Sequence, residues 1–232
     1  MGEVISIRTT TRSITVSLVG HPRAHTDTPD VAIGADGRAA CVVDGCVTTA
    51  SAMRTELRAY GMGQGELLDH AIRTTSAAEA LRRHAPARVP AAATVSALLH
   101  DTGKLVLNEL VGDRFASLVA DLATCSDHEM WQIERDVFGT DHAAASVHLA
   151  RYWKLPAAVA DGMVHHHRPV DGTAVAHAVH VANVMALWTM GIDPVDLEML
   201  KLSLDVIGVE YGDLDSLTTQ SAEIYEANRL NG

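Results

Sequence analysis

Aromatic side chains are scarce in this chain of 232 residues: Phe, Trp and Tyr make up 4%, and the first of them is Tyr60. The first 59 residues therefore offer few large side chains to bury. Cysteine is nearly absent too. Cys41, Cys46 and Cys125 fit neither a disulfide framework nor a four-thiolate zinc site. No apolar run approaches the ~20 residues of a membrane span. The start, Met1 to Arg8, lacks the basic opening and long apolar core of a signal peptide. Positive charge is in the minority, with 18 Lys and Arg against 29 Asp and Glu, a net of −11. An acidic surface disfavours nucleic acid and anionic lipid. These absences predict a cytoplasmic chain with no nucleic-acid and no membrane partner. Several catalytic signatures are missing as well: there is no Walker loop, no Gly-x-Gly-x-x-Gly after a strand, no Gly-x-Ser-x-Gly elbow and no Cys-x-x-Cys.

What is present is globular composition, 47% apolar and 20% charged. Two regions differ in texture. Residues 1–50 hold short β-branched runs, Val4–Ile7 and Ile14–Val19, followed by turn-formers such as His21-Pro22 and Gly34–Gly37. They read either as short strands and turns or as a weakly ordered extension. From Ser51 to residue 232 the pattern is helical, with apolar residues at three- and four-residue spacing. Ser126–Glu129 is a capping box for a helix running to Phe138 and stopped by Gly139. Thr140 is placed to cap the next helix, and Pro156 opens another. Thr173–Met190 is almost uncharged, as a central buried helix would be, and Asp193-Pro194 starts its successor. The expected fold is mainly α, a helical bundle behind an N-terminal extension with short strands. Residues 191–232 carry nine acids against Lys201 and Arg229, a pattern that suits a solvated outer face. Arg82-Arg83-His84 reads as a solvated helix end.

The unusual abundance is histidine, with 13 residues. An apolar helix ends in His100-Asp101, followed by Thr102-Gly103-Lys104. Imidazole nitrogen and carboxylate oxygen are both ligands for divalent first-row metals. Neighbours on a regular helix point about 100° apart, but a helix end relaxed by Gly103 lets both converge on one ion. His70 lies on a preceding helix, with Glu66 one turn earlier on the same face. His142 begins a later helix. His165, His166 and His167 follow an apolar helix, and Asn183 lies inside the buried one. A lone helical histidine is usually structural. An ordered set on separate helices is a candidate metal site.

That order resembles the HD superfamily of metal-dependent phosphohydrolases, most closely its HDOD branch. The resemblance rests on Gly65–His70, Leu98–Leu105 with His100-Asp101 and Gly103-Lys104, Phe138–Ala143, Trp153–Pro156, His166–Pro169 and His180–Asn183, and covers roughly residues 55–210. It implies an HD-type helical bundle with an internal pocket. His70, His100, Asp101, His142, His166, His167 and Asn183 would be metal ligands, with Asp101 and Lys104 catalytic. It implies a divalent ion, with Fe, Mn, Mg and Zn undistinguished, or a pocket that has lost it. Members are mostly described as bacterial signalling or output modules. The primary expectation is accordingly a regulatory module whose partner is a signalling protein. The alternative is a phosphohydrolase acting on a phosphorylated small molecule, a phosphoester or nucleotide. Three departures stand out. Asn183 replaces the usual last aspartate. The Gly-Tyr-Pro motif of the related cyclic-di-GMP phosphodiesterases is replaced by Arg168–Thr173. Residues 1–50 do not look like the helical half with which such domains usually begin.

Overall fold

A computed structural model describes residues 4–10, 13–19, 31–33, 39–42, 53–111, 127–192 and 196–229. The β-branched runs near the start form a hairpin, β1 (Val4–Thr10) with β2 (Ser13–Val19), in a register pairing Ile5 with Leu18 and Ile7 with Val16. Two short strands that no apolar run announces, β3 (Val31–Ile33) and β4 (Ala39–Val42), complete an antiparallel sheet of order β2-β1-β4-β3. Beyond it the molecule is mainly α, as expected. Apart from a single bridge between Leu57 and Met62, no strand follows Tyr60 among the described residues.

The helices are α1 (Glu66–His84), α2 (Ala92–Leu99), α3 (Gly103–Val111), α4 (Asp127–Phe138), α5 (His142–Tyr152), α6 (Ala157–His165), α7 (Ala174–Thr189), α8 (Leu197–Ile207) and α9 (Leu214–Arg229). None among the described residues is long and apolar enough to cross a membrane. Helix α4 ends at Gly139, which adopts φ 69°, a conformation that costs glycine nothing. Its expected cap, Ser126, lies outside the described residues, as do Asp193 and Pro194. Helix α8 starts at Leu197, capped by Asp196, whose side chain accepts from Met199 N. Asp141, not Thr140, caps α5 by accepting from Ala144 N at 2.6 Å. Arg82 and Arg83 do not simply meet solvent: both donate to the buried Glu79 carboxylate.

Helix α7 is the central element, as its composition predicts. It packs against α1, α2, α6, α8 and α9, and Val175 to Leu187 are buried apart from His180. The scarcity of aromatics is answered by aliphatic packing around Leu67, Leu81, Met163, Met185, Leu204 and Ile207. Burying one such side chain contributes about 1.5–3 kcal/mol. Helix α9 is held on α1 by the Tyr225 hydroxyl, which donates to Asp69, and by the Arg73 guanidinium over the Tyr225 ring at 3.9 Å.

Two close crossings set the position of the histidines. At Gly162 on α6, an added Cβ would lie 2.6 Å from Ser96 Cβ of α2, and Ser96 Oγ donates to Val159 O. At Gly103, the first residue of α3, an added Cβ would lie 1.8 Å from the His142 carbonyl oxygen. Here Gly103 N donates to Ser146 Oγ at 3.1 Å. Only a hydrogen in place of a side chain lets these helices approach so far, so the ends of α2 and α6 and the start of α5 meet at one place.

Candidate metal centre

Six sequence-predicted ligands converge there. His70 comes from the second turn of α1, His100 and Asp101 from the turn between α2 and α3, His142 from the start of α5, and His166 and His167 from the end of α6. All are buried except His167, which is half-buried. They form two groups sharing Asp101: His70, His100 and Asp101 in one, Asp101, His142, His166 and His167 in the other. Within each group the donor atoms lie within 4.8 Å of one another.

Asp101 divides its two oxygens between the groups. Oδ2 lies 3.6 Å from His70 Nε2 and 3.5 Å from His100 Nε2. Oδ1 lies 3.2 Å from His142 Nε2 and 3.7 Å from His166 Nε2. His142 Nε2 is 3.3 Å from His166 Nε2 and 2.9 Å from His167 Nε2. His70 Nε2 and His100 Nε2 are 3.3 Å apart. Donors bound to one ion at about 2.0–2.2 Å stand roughly 3–4 Å from each other, so the spacing is that of a coordination shell.

The orientation of the rings is held from behind. His100 Nδ1 donates to Ala97 O and His166 Nδ1 to Met163 O, each at 2.8 Å. A carbonyl oxygen can only accept, so both Nδ1 atoms carry hydrogen and each ring turns its Nε2 toward the centre. His142 Nδ1 donates to Glu134 at 2.7 Å. Glu134 on α4 is fully buried. It also accepts from His142 N at 2.7 Å and from the Tyr60 hydroxyl at 2.7 Å. Lone pairs facing one another repel unless a cation or a proton lies between them, and the donor set therefore fits a divalent ion.

The protonation energetics follow the same logic. Burial disfavours the His142 imidazolium, but the Glu134 charge and hydrogen bonds to Asp101 and Glu134 push its pKa up to about 9. Burial, with the neighbouring imidazoles, holds His166 and His167 well below the usual histidine range. Burial works to raise Asp101, yet His100, Lys104 and His142 keep its carboxylate ionised far below the usual range. Lys104 is buried and donates to Asp101 Oδ2 at 2.7 Å. It pairs with the carboxylate at the heart of the centre.

Asn183 is buried on α7 one turn beyond His180. His180 Nδ1 donates to His166 O at 2.8 Å, so this face of α7 backs the end of α6. Glu66, by contrast, is exposed and accepts from Gly63 N. His165 is tied to Asp161 at 3.1 Å and stands apart from the two groups. Glu134 and Tyr60 escape the sequence reading. Glu134 lies eight residues before His142 in an ordinary polar helix, and the only local sign at Tyr60 is that it is the first aromatic residue.

Residues 39–169 match the family model described as HDOD domain. The match begins within β4, ahead of the helical texture that starts at Ser51. No curated protein matches. Two solved structures share the fold. One is a presumed phosphohydrolase from Shewanella amazonensis SB2B, with TM-score 0.51, 20% identity and coverage of 69% of this chain and 62% of that one. The other is an HDOD domain protein with unknown function from Geobacter sulfurreducens, with TM-score 0.54, 22% identity and coverage of 69% and 61%. This chain thus spans less than two thirds of either relative, and at these identities the likeness is one of fold.

Proposed function

This chain belongs to the HDOD family, and we propose that it is a metal-dependent phosphohydrolase acting on a phosphoester. The observation that carries the reading is the buried set of Asp101 Oδ1 and the Nε2 atoms of His142, His166 and His167, spaced as ligands. Three imidazoles and one carboxylate suit Zn, Fe or Mn better than Mg, which prefers oxygen donors. A bound divalent ion would supply a Lewis acid and an activated water.

The chain's own residues prepare that centre. Glu134 keeps the proton on His142 Nδ1 and so leaves Nε2 for the ion. Met163 O does the same for His166. Lys104 balances Asp101 on its Oδ2 side, the side facing His70 and His100. The four-donor group is therefore the primary site for an ion, and the His70–His100 side is secondary. Half-buried His167 is the ligand through which the centre meets solvent.

The HDOD resemblance also supports a regulatory setting in a bacterial cytoplasm. A signalling module without turnover is the second reading. Asn183 favours it, because an amide where the HD resemblance implies an aspartate lowers the negative charge available to a metal. The test is elemental analysis of untagged protein reconstituted with Mn, Fe or Zn, followed by assay on p-nitrophenyl phosphate and bis-p-nitrophenyl phosphate. Stoichiometric metal with hydrolysis that Asp101→Asn abolishes supports the enzyme. Stoichiometric metal without hydrolysis of either ester favours the module. Protein that stays metal-free overturns the reading.

A further inference from the structure

Beside His167 a cavity of about 120 Å³ opens between the end of α4 and the end of α6, lined by Trp131, Arg135, His165, His167, Arg168 and Asp171 among others. His167 thus belongs both to the ligand cluster and to the wall of this cavity. We propose that the cavity receives the phosphoryl group of a phosphate monoester, with Arg135 and Arg168 as its anion-binding side chains. This deepens the reading of the metal centre given above and rests on it.

The two guanidinium groups are held for such a task. Arg135 Nε donates to Asp141 Oδ2 at 2.6 Å, and Arg168 Nη2 lies 3.1 Å from Asp171 Oδ2. Each carboxylate orients one edge of a planar fork that carries five N–H donors. Among the described residues the other guanidinium nitrogens make no hydrogen bond. Both side chains are about half exposed, so the remaining donors are accessible to a ligand. Trp131 supplies the apolar wall, with the Arg135 guanidinium 5.2 Å from its ring centre. Its Nε1 is buried and has no partner among the described residues.

Size decides the ligand class. Pockets that enclose whole drug-sized ligands measure about 300–1,000 Å³. This one is far smaller, so it suits a phosphoryl head with the rest of the ester outside. Charge decides the order of binding. Asp141 and Asp171 offset the two arginines, so the rim is close to neutral. A dianion should bind strongly only when a metal ion at His142, His166 and His167 adds its charge.

The experiment is calorimetric titration of inorganic phosphate into Mn-reconstituted and metal-free protein, for wild type, Arg168→Gln, Arg135→Gln and the distant control Arg151→Gln. Metal content and melting temperature are measured on the same samples. Phosphate is expected to bind the metal-loaded wild type and the control alike. Each cavity variant should bind about ten- to a hundredfold more weakly at unchanged metal content. Arg168→Gln decides the matter if Arg135→Gln, which loosens the α5 cap residue Asp141, lowers stability. Equal phosphate affinity across all four proteins at full metal loading overturns the inference and leaves the metal centre standing. Dimethyl phosphate binding as tightly as inorganic phosphate overturns the monoester assignment. Failure to load metal brings down the metal reading and the inference with it.

Discussion

Replacing Gly103 with alanine should damage both stability and metal binding, although one added methyl group is the smallest of side-chain changes. The new Cβ would sit 1.8 Å from the His142 carbonyl oxygen, 2.7 Å from its carbon and 2.8 Å from Ser146 Oγ. An ordinary contact for a carbon is about 3.5 Å, so α3 and α5 must part by roughly 1.5 Å. The obstacle is backbone in the first turn of α5, which cannot rotate aside as a side chain would. In a site without a clash, glycine to alanine stabilises by about 0.4–1 kcal/mol through the unfolded state. Here overpacking, typically about 1–3 kcal/mol and at its upper end for a backbone clash, decides the sign. For a chain of this size 3 kcal/mol lowers Tm by about 6–12 °C. The displaced residue is His142, whose Nε2 stands 3.2 Å from Asp101 Oδ1 and 2.9 Å from His167 Nε2. A shift on the order of 1 Å breaks that spacing, and metal affinity should fall at least tenfold. The assay is thermal melting with and without Mn, paired with metal titration. Gly212→Ala serves as the control, since nothing lies within 4 Å of a Cβ there. A Gly103→Ala protein that melts and binds metal like wild type would refute the claim that this crossing positions the centre.

Four further outcomes are expected. Glu134→Gln removes the anion behind His142 and should weaken metal binding about ten- to a hundredfold, measured by chelator competition. In the metal-free protein the folded-state pKa of His142, about 9, lies above the ordinary 6.5. Its stabilisation is therefore complete below pH 6.5 and lost as pH rises through about 9, and Glu134→Gln should flatten that alkaline limb of the Tm profile. Adding metal at a hundred times its Kd should raise stability by about 2.7 kcal/mol, or about 5–11 °C in Tm, reversed by chelator; an unchanged melt would deny that the folded state binds metal. Asn183→Asp should tighten divalent-metal binding by about 1–3 kcal/mol if the carboxylate coordinates, and equal affinities for the two proteins would place residue 183 outside the ligand set.

Much of the bundle was legible because its signals are local. Gly139 stops α4 where a left-handed residue is needed. The run Val175 to Leu187 is apolar on nearly every face, and α7 is buried on nearly every face. Strands β1 and β2 fall on the two β-branched runs, which the sequence left open between short strands and a weakly ordered extension. The chemical identity of the candidate ligands was equally plain, since His70, His100-Asp101, His142 and His166-His167 stand in order on or beside separate helices. Strands β3 and β4 were not legible, because three or four residues carry too little periodicity. The capping of α5 by Asp141 turned on one residue, and Thr140 offered an equally good local signal.

What the sequence by itself determined, then, was which residues have the chemistry to bind a metal and which segments are helical. Tertiary structure alone decided how those residues are poised. The proton positions on His100 and His166 depend on carbonyls of Ala97 and Met163, and that of His142 on Glu134 from another helix. Lys104 was assigned to Asp101, in the turn beyond α2, by a 2.7 Å contact. The meeting of the two ligand groups depends on Gly103 and Gly162 lying where helices cross. The physical reason is range. Periodicity and capping act within a turn or two of chain, whereas coordination needs donors from separate helices placed to within a fraction of an ångström, and only close packing of the bundle sets distances that finely.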